Sequence, residues 1–459
     1  MTEAKTNFWI ILTEHPLCTI FSIAILVRSI NIFHLSISGG DFVIEDSFFL
    51  TFSKEWARAF GLMEGIPAGA AYVERVPGYP LLVALMQGVG LSAPVFIATI
   101  NSFFDSVTCV ILGLLGCQLD RRVGLVAGLL SAFWPNLIIH SSLVLNDTLF
   151  VLLFAGLLYW AAKFLATPSL KAAIISGILV GLAVCTRPIA QFLVPILAIA
   201  MAGISHFHGV SKRRIALLVL VFFVPTVLTL LPIYTHNILK FGSLSLSAQT
   251  GTHLAYWVLP PVKKFETGMS FEETKANIRK SYKAELKRRG GDESNPFDVN
   301  NILTNVALSE LRNSSTVAIA TAWLQGMALN IATPAVLIDT RVRSFSGQSF
   351  YELEAPNLVS KVLQYLEKST PLYLFFFFVG AFGSILSLVF SIYGLFILHS
   401  LRPWVAIFAT LAVFYFLLIN GPVASPKYRL PIEPVLIICA SLGLVQTWKK
   451  MLLRKNKHE

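Results

Sequence analysis

The stretch "IALLVLVFFVPTVLTLLPIYT" (residues 215–235) carries no charged side chain, follows the triplet Lys212-Arg213-Arg214, and runs into a long polar segment that begins at His236. About 20 consecutive apolar residues is the length a helix needs to cross the hydrocarbon core of a bilayer. Basic residues beside such a run mark its cytoplasmic end, so the stretch reads as a helix that leaves the cytoplasm and opens into an outer segment.

Similar runs lie near 16–36, 94–118, 123–140, 148–166, 171–186, 188–204, 371–398, 403–420 and 431–447. About ten transmembrane helices are therefore expected, in an all-α polytopic membrane protein. The first run is too long for the apolar core of a signal peptide and no small-x-small cleavage site follows it, which predicts a retained span. Of 459 residues 55% are hydrophobic and only 13% charged, with a mean hydropathy of +0.70. A soluble domain is closer to a quarter charged.

The net charge is +11, and its placement decides its meaning. Arg121-Arg122, Lys163 with Lys171, Lys212-Arg213-Arg214, Arg402 and the tail from Lys449 to Lys457 sit in short loops or at the end. With ten spans and a cytoplasmic N-terminus they all fall on the cytoplasmic side, so the basic balance is topology and nucleic acid is not expected. Both termini are then cytoplasmic, in a multi-pass protein of the inner (plasma) membrane. Cys18, Cys109, Cys117, Cys185 and Cys439 all lie in apolar runs, without the spacing of disulfide or zinc frameworks.

This topology divides the chain into a membrane module over 1–235, an outer, mostly helical loop over 236–370, and C-terminal membrane helices over 371–459. The module contains a first outer loop (37–93), and a last outer loop lies near 420–431. In "VIEDSFFLTFSKEW" (43–56), Phe48, Phe52, Trp56 and Phe60 recur every four residues, with Thr51, Lys54, Glu55 and Arg58 on the other side. The spacing predicts an interfacial helix lying on the membrane, N-capped by Asp46 or Ser47. A short helix, Tyr79 to Gly88, follows Pro77-Gly78. In the second outer loop Ser270 and Glu273 form a capping-box pattern and Gly290-Gly291 a stop.

Glu45 and Asp46 admit two readings: a helix cap with its dipole partner, or a partly desolvated general base that takes a proton from an acceptor group. Arg75, in "ERVPGYPLL", places a cation on the outer face, suited to a phosphate or to an ion pair with Glu74 or Glu64. Asp147 stands at the outer mouth of a span, where it caps the helix or positions acceptor and sugar hydroxyls. Asp105 lies inside a span, where an ionisable group faces a cavity or pairs with Arg28. Arg187, in "CTRPI", is a second phosphate ligand or an interfacial side chain. Lys427, Tyr428 and Arg429, held between Pro426 and Pro431 above the last span, form a cradle for a lipid phosphate or meet anionic headgroups. No nucleotide-binding glycine loop, metal-spaced His/Cys cluster or serine elbow occurs, so neither a cofactor nor a bound metal is expected.

Taken in order, Glu45-Asp46-Ser47-Phe48-Phe49, Arg75-Val76-Pro77-Gly78-Tyr79-Pro80, Asn146-Asp147, Thr186-Arg187-Pro188, His236-Asn237 to Phe241-Gly242, and Tyr428-Arg429-Leu430-Pro431 resemble the bacterial glycosyltransferases of the GT-C fold. These are relatives of the protein O-mannosyltransferases and the lipid A aminoarabinose transferase. The resemblance implies inverting, metal-independent transfer of one sugar from a polyprenyl-phosphate donor to a glycan, lipid or protein acceptor of the cell envelope, on the outer face of the membrane. It implies Glu45 or Asp46 as base and Lys427 and Arg429 at the donor phosphate, where Arg75, Arg187, Tyr428 and His236 are also placed. The chain has Glu-Asp where the family usually has Asp-Glu, and His236 stands where many relatives carry an arginine that meets the donor. A transporter of lipid-linked saccharides also wants outer cations, but it usually shows broken helices in pairs or internal repeats, and neither is present.

Overall fold

A computed structural model of the chain describes residues 15–44, 48–290, 293–345, 353, 355 and 357–455. Among the described residues every regular element is helical. Eight helices are long and apolar enough to cross a membrane: Pro16–Ile37, Pro94–Cys117, Asp147–Ala166, Pro188–Phe207, Lys212–Phe241, Pro371–Leu401, Pro403–Asn420 and Pro426–Arg454. Arg121–Ala132 and Pro135–Ser141 together make a ninth, bent by 48°. The expected run at 171–186 becomes Leu170–Thr186, of 17 residues. At 1.5 Å per residue it reaches about 26 Å, a shorter apolar helix beside the eight or nine full-length ones.

The bend follows from Pro135, whose missing N–H cannot donate to the Ser131 carbonyl; that carbonyl accepts from Trp134 N at 3.2 Å. Arg28 adds a second donor to it. Its guanidinium donates to Ser131 O at 3.2 Å, Ala132 O at 2.9 Å, Ala24 O at 3.2 Å, Cys109 Sγ at 3.3 Å and Asp105 Oδ2 at 2.6 Å. All five N–H donors of an arginine are thereby matched, which is the condition for burying one.

Around this, helices pack by close backbone approach. A Cβ on Gly124 would stand 2.6 Å from Gly113 O and 2.8 Å from Cys117 N, so the two helices meet across bare backbone, as small residues allow in membranes. The largest buried cluster joins Phe150, Phe154, Phe222 and Phe416 with Val180 and Val184.

The polar segments gather at one end of this bundle and bind one another. Ala248 N donates to Val73 O at 2.9 Å, Ser425 N to Asn330 Oδ1 at 3.0 Å, Trp323 Nε1 to Leu418 O at 3.1 Å and Thr340 Oγ1 to Asp41 O at 3.1 Å. Helix Phe271–Arg289 opens with the expected capping box of Ser270 and Glu273. The aromatic helix Phe48–Ala59 also forms, but it does not rest its aromatic face on a membrane. Phe52 and Trp56 are buried against Tyr72, Val73, Ala248 and Phe297, because the second outer segment offers a larger apolar surface than that single stripe.

Candidate active site

Two of the sequence motifs are closed on each other. Asn146 Nδ2 donates to Thr186 O at 2.7 Å, and Arg187 Nη1 donates to Asp147 Oδ1 at 2.6 Å. Asp147 is buried in the first turn of its helix, where the dipole favours an anion, and Arg187 stands over the Phe150 ring at 5.5 Å.

The motif containing Arg75 lies directly on this pair. A Cβ at Gly78 would fall 2.5 Å from Cys185 O, so only glycine lets the first outer segment rest on the end of helix Leu170–Thr186. The next residue, Tyr79, is buried and accepts from Asn101 Nδ2 at 2.9 Å, while Asn101 also donates to Leu143 O at 2.8 Å. Phe49 meets the Tyr79 ring edge-on at 5.0 Å. Glu45 and Asp46 lie outside the described residues. Of the residues that flank them, Ile44 packs with Leu143 and Leu145, and Phe48 receives the Arg75 guanidinium over its ring at 5.5 Å.

Three of the expected cations act on one side chain. His253, at the end of the turn Thr250–His253, has its pKa lowered to about 4, first by burial and then by Lys427, Arg75 and Arg187. These cations come from the last outer loop, the first outer loop and the end of a short helix. The turn is held by Gly251, whose N–H donates to Asn300 Oδ1 at 2.7 Å.

Arg429 does not join them. It is 3% exposed, lies 2.8 Å from Glu433 Oε1, and donates to Ile331 O at 2.6 Å and Ser387 Oγ at 3.1 Å. Glu433 in turn accepts from Trp134 Nε1 and Asn136 Nδ2, each at 2.8 Å. The spacing of one helical turn between 429 and 433 turns this arginine inward, so its assignment to the donor phosphate is corrected to an anchor of the last outer loop. Lys427 stands over the ring of Tyr428 at 5.6 Å.

Asp105 is likewise tied inside the bundle, 1% exposed and bound to Arg28, the second of its two expected readings. His236 has both ring nitrogens engaged, with Asn237 Oδ1 at 2.9 Å and the Tyr72 hydroxyl at 3.2 Å, among the rings of Trp56, Phe60 and Phe241. It braces the two outer segments and leaves no nitrogen for a donor. Burial, with Glu55 nearby, pushes the Tyr72 phenol up to about 12, which keeps it a neutral partner.

His140 and His253 were not among the expected site residues. His140 is 1% exposed, its Nδ1 faces Asn136 O at 2.8 Å, its Nε2 has no partner among the described residues, and its carbonyl accepts from Thr148, the neighbour of Asp147. The Asn136-to-His140 spacing after Trp134-Pro135 was the available signal for the first, and the lone glycine at 251 for the second.

Residues 79–232 match the family model described as dolichyl-phosphate-mannose-protein mannosyltransferase. That interval holds Tyr79-Pro80, Asn146-Asp147 and Thr186-Arg187-Pro188. The apo oligosaccharyltransferase of Archaeoglobus fulgidus aligns over 97% of this chain at 14% identity, with a TM-score of 0.53. The chain has the GT-C fold. Its form tethered to an acceptor peptide containing the NVT sequon aligns over 97% of this chain and 51% of its own, at 13% identity and a TM-score of 0.50. The GT-C chain spans about half the length of that oligosaccharyltransferase, 52% in the apo form. ArnT from Cupriavidus metallidurans, bound to undecaprenyl phosphate, aligns over 95% of this chain and 77% of its own, at 12% identity and a TM-score of 0.39. No curated protein sequence matches the chain. The GT-C resemblance drawn from the ordered motifs is borne out in the fold.

Proposed function

We propose that this GT-C chain is an inverting glycosyltransferase of the inner membrane, moving one sugar from a polyprenyl-phosphate donor to a cell-envelope acceptor on the outer face. The observation that carries the reading is the buried Asp147–Arg187 pair at 2.6 Å, with the Arg75 motif seated on it through the contact of Gly78 with Cys185 O. In this reading the cations hold the donor phosphate. The acceptor oxygen attacks the anomeric carbon, the bond from that carbon to the phosphate oxygen breaks, and its electron pair leaves on the phosphate. The acceptor proton passes to the carboxylate of Glu45 or Asp46. A single displacement inverts the anomeric centre, and the fixed cations stabilise charge as it develops on the leaving phosphate. Asp147 holds Arg187 in place.

The test is transfer from a panel of labelled polyprenyl-phosphate sugars in membranes containing the chain, beside a Glu45→Gln/Asp46→Asn variant. Transfer from one donor, reduced roughly 10² to 10⁴-fold in the variant, is expected for the loss of a general base. Equal rates in both would remove the base assignment, and transfer from none of the donors would remove the reading.

A further inference from the structure

Helix Phe271–Arg289, on the same end of the bundle as the candidate site, carries Lys275, Arg279, Lys280, Lys283, Lys287, Arg288 and Arg289 against Glu272, Glu273 and Glu285. Its acids are all taken up. Glu272 pairs with Lys275 at 3.0 Å, Glu285 with Arg288 and Arg289 at 2.7 and 2.5 Å, and Glu273 closes the capping box. Arg279, Lys280, Lys283 and Lys287 are exposed and have no acid of this helix left to meet.

Lys275, Arg279, Lys283 and Lys287 follow one another at four-residue steps, a row about 18 Å long on one face. Like charges at that spacing repel along a helix. The helix dipole accounts for cations in the last turn, Lys287 to Arg289, and not for those at 279, 280 and 283. A face kept soluble by charge intersperses both signs, which this one does not.

At the foot of the row is Trp257, 52% exposed, with Lys275 Nζ over its ring at 5.8 Å. Trp257 lies one turn beyond His253, so the row starts within about a turn of that side chain. The buried side chains of this helix, Thr274 and Ile278, face the protein, and its exposed face has no apolar residue larger than alanine. A helix that inserts into a bilayer surface needs an apolar face free for the lipid, and this one has none.

We propose that this face binds an anionic glycan, a chain of sugars bearing carboxylates or phosphates. The cation row pairs with the charges, and Trp257 gives a flat surface for a sugar ring. The role of that glycan as the acceptor rests on the glycosyl-transfer reading above; the binding itself does not.

The experiment uses the full chain in nanodiscs of zwitterionic lipid, with polygalacturonate as the anionic probe and dextran as the neutral one. An Arg279→Gln/Lys280→Gln/Lys283→Gln/Lys287→Gln variant is compared with the native chain, its unfolding temperature checked to be unchanged. The expected result is polygalacturonate binding that is at least tenfold weaker in the variant and weakens with salt, with no binding of dextran. Equal binding by the variant overturns the proposal, as does equal binding of dextran. Loss of binding seen only with vesicles of anionic phospholipid also overturns it, assigning the face to the membrane surface. No turnover is measured, so a failure of the glycosyl-transfer reading leaves this result standing.

Discussion

Arg187 reaches Asp147 at 2.6 Å, from the C-terminal end of one short helix to the first turn of the helix before it in the chain. The carboxylate is fully buried and the guanidinium nearly so, and the pair sits under the glycine that seats the first outer segment. Asp147→Asn keeps the shape and removes the charge that holds Arg187. A buried donor left poorly matched costs about 1–3 kcal/mol, so kcat/KM for glycosyl transfer falls about 10 to 100-fold. An unchanged kcat/KM would separate the pair from the reaction.

Arg429 and Glu433 form the second buried ion pair near the site, and this one fastens the last outer loop to the bundle. Arg429→Ala leaves Glu433 charged and buried, with Trp134 and Asn136 as its remaining donors. The expected loss is about 3–5 kcal/mol of stability, seen as a lower unfolding temperature in detergent. Donor affinity per folded molecule stays within a factor of about two. A stable variant with weakened donor binding would return Arg429 to the phosphate site.

His253 sets a pH dependence with a definite sign. Its pKa is about 4 in the folded chain, through burial and then Lys427, Arg75 and Arg187, against about 6.5 in an unfolded one. Between those values the unfolded chain binds the extra proton and the folded chain does not. Stability therefore falls as pH drops from about 6.5 to 4. His253→Gln removes that part of the fall. Unfolding temperatures measured across pH check this; a native chain and variant with parallel curves would contradict the burial of a neutral His253.

The membrane helices were legible because hydrophobic length alone specifies them; the run at 171–186 forms the shorter apolar helix Leu170–Thr186. The order of the motifs was legible too, since each pins a backbone junction: Gly78 on Cys185, Asn146 on Thr186. Side-chain direction was not. Arg429 and Lys427 are two residues apart in one turn, and only packing against Ser387 and Ile331 turns the first inward. Phe52 and Trp56 were read onto a membrane because their periodicity specifies an apolar face without naming what covers it. His253 was missed because its three cationic neighbours are 66 or more positions away in the sequence.

The central claim is that Arg75, Arg187 and Lys427 together hold the phosphate of a lipid-linked donor. The most direct measurement is binding of polyprenyl phosphate to the purified chain and to an Arg75→Gln/Arg187→Gln/Lys427→Gln variant, with folding verified for both. Charge-assisted contacts contribute about 1.5–3 kcal/mol each, so affinity at least 10²-fold weaker in the variant is the predicted result. Equal affinity in the two proteins would contradict the claim.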